Sequence, residues 1–182
     1  MKKRILLVIV SFSLILFPLH QTSHAANITL NNTPAQIYFS PKGGCTEAIV
    51  NEISHAKSEI YVQAYSFTSV SIAKALVDAH KRGIKVEAIL DKSQKKEKYT
   101  SATFLNNSGI PTYIDSKHAI AHNKIMVIDK ETVITGSFNF TKAAEEKNAE
   151  NLLILKNKEM ASQYLMNWSK HKNHSDSYSG RE

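Results

Sequence analysis

Residues 122–139 read HNKIMVIDKETVITGSFN: an imidazole, an ammonium, a carboxylate, a Gly-Ser pair and a carboxamide set into apolar, β-prone sequence. Side chains two apart on a strand project to one face. A strand over 122–128 therefore puts His122, Lys124, Met126 and Ile128 on one face, and Asn123, Ile125 and Val127 on the other. Asp129 ends the run, Lys130-Glu131 reads as a hairpin tip, and residues 133–135 (VIT) read as the return strand. Gly136 follows, where the missing Cβ lets backbone approach a ligand closely. Ser137 and Asn139 offer neutral donors on the side where Lys124 offers charge. An imidazole, a lysine and uncharged donors at one spot suit a phosphate anion.

A lone histidine beside a lysine in an apolar strand is usually only a strand. Here six positions keep a fixed spacing: His-x-Lys, four residues, Asp, six residues, Gly-Ser-x-Asn. The pattern resembles the HKD motif of the phospholipase D superfamily, with His122, Lys124, Asp129, Gly136, Ser137 and Asn139 all in place. Residues 148–151 (NAEN) resemble the short acidic segment that follows the motif in that family. Within the superfamily the likeness is to its small bacterial endonucleases. It extends from about residue 37 to about residue 168 and is specific only over 122–151. It implies an α/β fold: a phospholipase D-like mixed, largely parallel β-sheet, flanked by helices on both faces and dimerising through the active-site edge.

The motif occurs once. Phosphodiester cleavage by these residues needs one group to attack phosphorus and another to protonate the departing oxygen. Imidazole suits both tasks because it titrates near neutrality. A chain with one such histidine can meet the need by pairing with itself about a twofold axis. Larger family members carry two copies on one chain, and the resemblance implies the same arrangement assembled here as a homodimer. One His122 is then the nucleophile, forming a phosphohistidine. The other is the general acid, and afterwards the base that activates water. Lys124 and Asn139 of both chains hold the non-bridging oxygens, with Ser137 nearby. The resemblance also implies that Glu150 accepts a hydrogen bond from the far nitrogen of His122. Asp129, although one of the motif's catalytic set, is expected to be structural, pairing with a cation, rather than to carry a proton.

No cofactor or metal is expected, since Lys124 and His122 supply the positive charge that divalent ions give other nucleases. His118 lies four residues before His122 and could pair with it as a ligand on a helix. No third ligand stands at useful spacing, and a strand or loop is expected there.

The 182 residues are enough for one domain with a real core. Residues 1–25 read as a secretory signal: Lys2, Lys3 and Arg4, then an apolar stretch broken at Pro18, then Ser23-His24-Ala25 before the cleavage point. The apolar run is short of the roughly 20 residues that a spanning helix needs. A periplasmic or secreted protein is expected, with a nuclease domain over 26–172 and a polar, frayed tail over 173–182. The formal charge is +7; loss of the first three basic residues leaves 20 basic against 16 acidic, a net +4. That balance favours a polyanion only weakly. With Cys45 as the one cysteine, no internal disulfide can form.

Along the chain, residues 36–40 read as a strand and 46–56 as a helix capped by Thr46. Residues 59–67 and 84–90 read as strands flanking an amphipathic helix over 69–82, closed by Gly83. That is a βαβ unit with parallel strands. Residues 92–98 (KSQKKEK) are a candidate nucleic-acid contact or a solvated helix face. A short strand is expected over 110–114, a helical turn over 141–147, and a buried strand over 150–155. A last helix over 158–171 carries Met160, Tyr164, Leu165 and Trp168 on one face.

Three functions fit. The first is an exported, metal-independent DNA endonuclease of little sequence preference, acting also on RNA or single strands. The second is a phospholipase D acting on phosphatidyl head groups, which needs an apolar rim or acyl groove; no apolar loop suited to one is evident. The third is a non-catalytic periplasmic DNA-binding module, which would tolerate loss of His122.

Overall fold

The computed structural model describes residues 25–97 and 100–180. The signal sequence expected over 1–25 falls, apart from Ala25, outside the described residues. In chain order the elements are β1 (Ala35–Ser40), α1 (Cys45–Ser54), β2 (Glu59–Ala64), α2 (Val70–Lys81) and β3 (Lys85–Asp91). A 3-10 turn (Lys92–Lys95), α3 (Ser101–Asn107), β4 (Thr112–Asp115), β5 (Lys124–Ile128) and β6 (Thr132–Gly136) follow. Then come α4 (Lys142–Glu146), β7 (Glu150–Lys156), α5 (Lys158–Lys172) and β8 (Asp176–Ser177). The strands form one sheet in the order β1-β7-β6-β5-β2-β3-β4-β8.

The fold is a mixed α/β sheet with helices on both faces, but the expectation of a largely parallel sheet needs correcting. Among the strands of the described residues, only β2–β3 and β3–β4 pair in parallel. The other five pairings are antiparallel. A parallel neighbour requires a crossover of a dozen or more residues, usually through a helix. α2 and α3 supply two such crossovers. The link from β4 to β5 contains no helix, and β5 joins β6 through a tight hairpin.

Period-two alternation sorts the strands onto two cores. Ile60, Val62, Met126, Ile128, Ile134 and Ile154 pack with Ile49, Ile53, Ile72, Leu76 and Leu105 from α1, α2 and α3. Ile125, Val127 and Val133 face the other way, against Ala161, Met160, Tyr164 and Leu165 of α5. Trp168 anchors that helix, edge-on to Tyr61 and donating Nε1–H to the Val62 carbonyl at 2.9 Å. Cys45 is fully buried, and burial, followed by the nearby Glu145 charge, pushes its thiol up to about 11. Cys45 is thus a plain buried thiol in this fold.

Two expectations fail for tertiary reasons. α1 has Gly44, not Thr46, at its N-cap, and the Glu145 carboxylate accepts from the backbone N–H of Gly44 and Thr46 at 3.0 and 2.7 Å. The frayed tail is instead docked. β8 pairs antiparallel with β4, Tyr178 is 5% exposed, and its N–H donates to the Thr112 carbonyl at 2.8 Å.

At the opposite edge β1 is covered unevenly. Tyr38 packs on the main core, whereas Ile37 and Phe39 point away and are 62% and 68% exposed. By register Ile37 sits beside Leu153, and Leu153 beside Thr135 of β6.

Candidate functional site

β5 begins at Lys124, so His122 and Asn123 lie just ahead of the strand. The buried carboxylate of Asp91, at the end of β3, accepts from the Ala121 N–H at 2.7 Å. Tyr65 N–H, just past β2, donates to the Asn123 carbonyl at 2.8 Å. These bonds fix the backbone on both sides of His122. The imidazole itself is exposed, tilted against the Tyr65 ring with centroids 4.6 Å apart.

Lys124 is 7% exposed. Its Nζ donates to the His122 carbonyl at 2.9 Å and lies 5.1 Å from the centre of the Tyr65 ring. Burial lowers its pKa from the ordinary lysine value, and the Glu150 charge partly opposes that shift. The result is a fixed, partly desolvated cation next to an accessible imidazole. Both residues border an open cleft of about 390 Å³, together with Asn123, Ile125, Thr135 and Gly136 and, from α5, Gln163, Tyr164 and Asn167.

β6 delivers the other half of the motif. Phe138 and Phe140 are fully buried, and the Phe140 carbonyl accepts from the N–H groups of Thr68 and Ser69 at 3.0 and 2.9 Å. The alternation turns Ser137 and Asn139 to the opposite side. Ser137 Oγ accepts from the backbone N–H of Asn151 at 3.0 Å and from its side-chain amide at 3.2 Å. Asn139 Oδ1 is buried and has no hydrogen-bond partner among the described residues. Gly136 has φ 144°, and a Cβ there would lie 2.3 Å from the Asn151 carbonyl oxygen. The close approach that requires glycine is thus made by β7 of the same chain, not by a ligand.

Glu150, which opens β7, accepts from Asn148 Nδ2 at 3.2 Å. In the single chain it acts on Lys124 by charge, and no hydrogen bond joins it to His122. Asp129 is separated from the rest. It closes β5 at the far end, roughly 17 Å of strand from Lys124 at about 3.4 Å per residue. Asp129 and Lys130 both have positive φ, and Glu131 N–H returns to the Ile128 carbonyl at 3.0 Å, a type I′ hairpin turn. The Asp129 carboxylate accepts from the N–H groups of Lys57, Ser58 and Glu59 and from the Ser58 hydroxyl, at 2.8–3.1 Å. Burial alone would raise its pKa, and these bonds overcome that and hold it below the ordinary carboxylate range. Its partners are backbone donors rather than the cation expected.

The basic run also differs from expectation. Gln94 is fully buried within it, and its Oε1 accepts from Phe67 N–H and from the Thr100 hydroxyl, both at 3.1 Å. Residues 92–95 are therefore an anchored turn beside the β3 end, not a solvated helix face. Tyr65, Gln163 and Asn167 were not legible as site residues. Tyr65 looked like ordinary strand, and Gln163 and Asn167 looked like the polar margin of an amphipathic helix. His118 meets Asp115, His171 and His174.

The family described as cardiolipin synthase, PLD-like domain, matches residues 49–171. The chain is 43% identical over 148 residues to a phospholipase D of Rickettsia conorii, covering 81% of this chain and 74% of that protein. Among solved structures, Nuc from Salmonella typhimurium, a phospholipase D family member, superposes with a TM-score of 0.78 at 38% identity. That match covers 83% of this chain and all of Nuc. NucT from Helicobacter pylori shares the fold, with a TM-score of 0.75 at 24% identity over 81% of this chain and all of NucT.

Proposed function

The chain belongs to the phospholipase D superfamily of phosphodiester hydrolases, and from that premise we propose that it is a metal-independent DNA endonuclease of little sequence preference. The observation that carries the reading is the pairing of an exposed His122 imidazole with a buried Lys124 ammonium at the mouth of an open cleft. A fixed cation and an imidazole open to solvent suit the charged phosphate of a sugar–phosphate backbone.

The site is completed by a second copy of the chain. One His122 attacks phosphorus, and the bond to the leaving oxygen breaks as the other His122 gives that oxygen its proton. The second imidazole then removes a proton from water, which displaces the first from phosphorus. Lys124 and Asn139 stabilise charge on the non-bridging oxygens. The exposed Ile37 and Phe39 support self-association, because the Ile37 row of the sheet runs through Leu153 to Thr135 at the cleft. Asp129 belongs to the scaffold. Export to the periplasm remains part of the proposal and rests on the sequence of residues 1–25.

Phospholipase D activity is the alternative, favoured by the name of the Rickettsia relative and by the exposed Ile120 two residues before His122. Incubation with plasmid DNA and, separately, phosphatidylcholine vesicles, both in EDTA at 25 °C, distinguishes the two. Nicked and linear plasmid from the wild type, none from His122→Ala and no released choline support the nuclease. Choline release with intact plasmid supports the lipase. Plasmid cleavage that requires added magnesium overturns the metal-independent chemistry.

A further inference from the structure

Away from the cleft, four side chains of metal-ligating type converge. Asp115 ends β4 and is fully buried. His118 lies in the loop that runs on to His122. His171 is in the last turn of α5, and His174 lies in the turn beyond it. Their ligand atoms all lie within 4.8 Å of one another. The three imidazole centroids form a triangle with sides of 4.9, 5.2 and 5.2 Å. His171 Nδ1 is 2.6 Å from Asp115 Oδ2, and His118 Nδ1 is 3.1 Å from both carboxylate oxygens. His174 Nε2, a buried atom, lies 3.3 Å from Oδ2, at ion-pair distance but poorly aligned for a hydrogen bond. One carboxylate thus faces three ring nitrogens, and the His174 contact is the longest and poorest of the three. Buried polar atoms without partners are uncommon, and three imidazoles beside a carboxylate suit a transition-metal cation better than one another.

We propose that Asp115, His118, His171 and His174 bind one divalent cation of the zinc class. Three imidazoles and one carboxylate make a complete tetrahedral set, with no position left for a reacting water, as in structural rather than catalytic sites. Bonds of about 2.0–2.1 Å place ligand atoms about 3.4 Å apart, so the widest spacing, now up to 4.8 Å, must close and the 2.6 Å Asp115–His171 contact must open. His118, 43% exposed on a loop, is the arm free to move. His122 is not a ligand. The ion would staple the segment leading to His122 onto the end of α5, the helix whose Gln163, Tyr164 and Asn167 line the cleft. The site is independent of the proposed nuclease activity and consistent with chemistry that needs no metal.

The test uses the purified full chain, stripped with chelator and then dialysed free of it. Zinc chloride is titrated by calorimetry, and cobalt(II) by visible absorption. One zinc per chain, a rise in melting temperature with zinc but not magnesium, and intense tetrahedral cobalt bands are expected. His118→Ala and His174→Ala, checked for fold by circular dichroism, should each weaken zinc by more than the ~10–100-fold typical of losing an outer-shell partner. His122→Ala should bind zinc as the wild type does. Absence of saturable binding to the wild-type chain overturns the proposal whatever the variants do. So does binding that survives a His118→Ala/His174→Ala double change or disappears in His122→Ala.

Discussion

Lys124 Nζ is bonded to the carbonyl of His122 at 2.9 Å, so the cation of the motif braces the backbone of the residue that carries the imidazole. One side chain thus holds the main chain of the proposed nucleophile and supplies charge to the cleft. Lys124→Gln should lower kcat on plasmid DNA by roughly 10²–10³-fold, the range seen when one preorganised stabilising donor is lost. Steady-state assays on protein of verified fold check this, and a loss below tenfold would contradict the assigned role.

The same lysine sets a limit in alkali. Its pKa is lowered by burial, so the ammonium loses its proton at lower pH than an ordinary lysine. The proposed chemistry needs the charged form. Activity should therefore fall on the alkaline side before pH reaches the ordinary lysine value of about 10.4. A pH–rate profile flat up to that value would show that the charge is dispensable.

Asp129 should matter for stability and not for turnover. Asp129→Ala removes an acceptor shared by four donors, and hydrogen bonds to a charged group each contribute about 1.5–3 kcal/mol. Urea unfolding should show a loss of about that size, with kcat per folded molecule unchanged at 25 °C. The folded carboxyl titrates lower than the unfolded one. Its contribution is therefore fully present above about pH 3.9, the unfolded value, and fades as pH falls through the folded value. Wild type and variant should converge in acid.

Asp91 acts on His122 through the loop. Its carboxylate holds Ala121 N–H at 2.7 Å and Ser93 N–H at 2.9 Å, and it is 2% exposed. Asp91→Ala should reduce kcat more than it changes KM, and should cost about 1–3 kcal/mol for each N–H left unpaired. Asp91→Asn keeps one acceptor oxygen and should recover part of kcat. Equal loss in both variants would point to charge rather than positioning.

A site shared by two chains has a distinctive dose response. If a dimer needs both imidazoles, exchange of wild-type subunits with an equal amount of His122→Ala subunits should leave about one quarter of the wild-type activity per total protein. Independent sites would leave half. Phe39→Asp, on the exposed face of β1, should yield inactive monomers of native circular dichroism, resolved by sedimentation. A fully active monomer would end the shared-site proposal.

Local pattern made most of this chain legible. Alternation in 124–128 assigned Met126 and Ile128 to one core and Ile125 and Val127 to the other, as the structure has them. Helical spacing placed Met160, Tyr164, Leu165 and Trp168 of α5 on one face. What stayed hidden depends on pairings that no single segment encodes. β5 lies antiparallel to β2 because the loop after β4 carries no crossover helix, and the two residues of β8 become a strand only where β4 offers an open edge. Tyr65 enters the site because β2 ends beside Asn123. The Asp115–His171 contact spans 56 residues, so the sequence offered His118 only with His122, which is not its partner in the fold.

Gly136 bears on how this domain can be altered. The Asn151 carbonyl would lie 2.3 Å from any Cβ placed at that position, and φ is 144°. Relief would have to come from β7, whose Asn151 holds Ser137 and whose Glu150 acts on Lys124. A saturation library at this codon should therefore return a single letter even under selection for folding alone. Redesign of substrate preference is better begun on the α5 wall, where Gln163 and Asn167 border the same cleft without carrying the sheet.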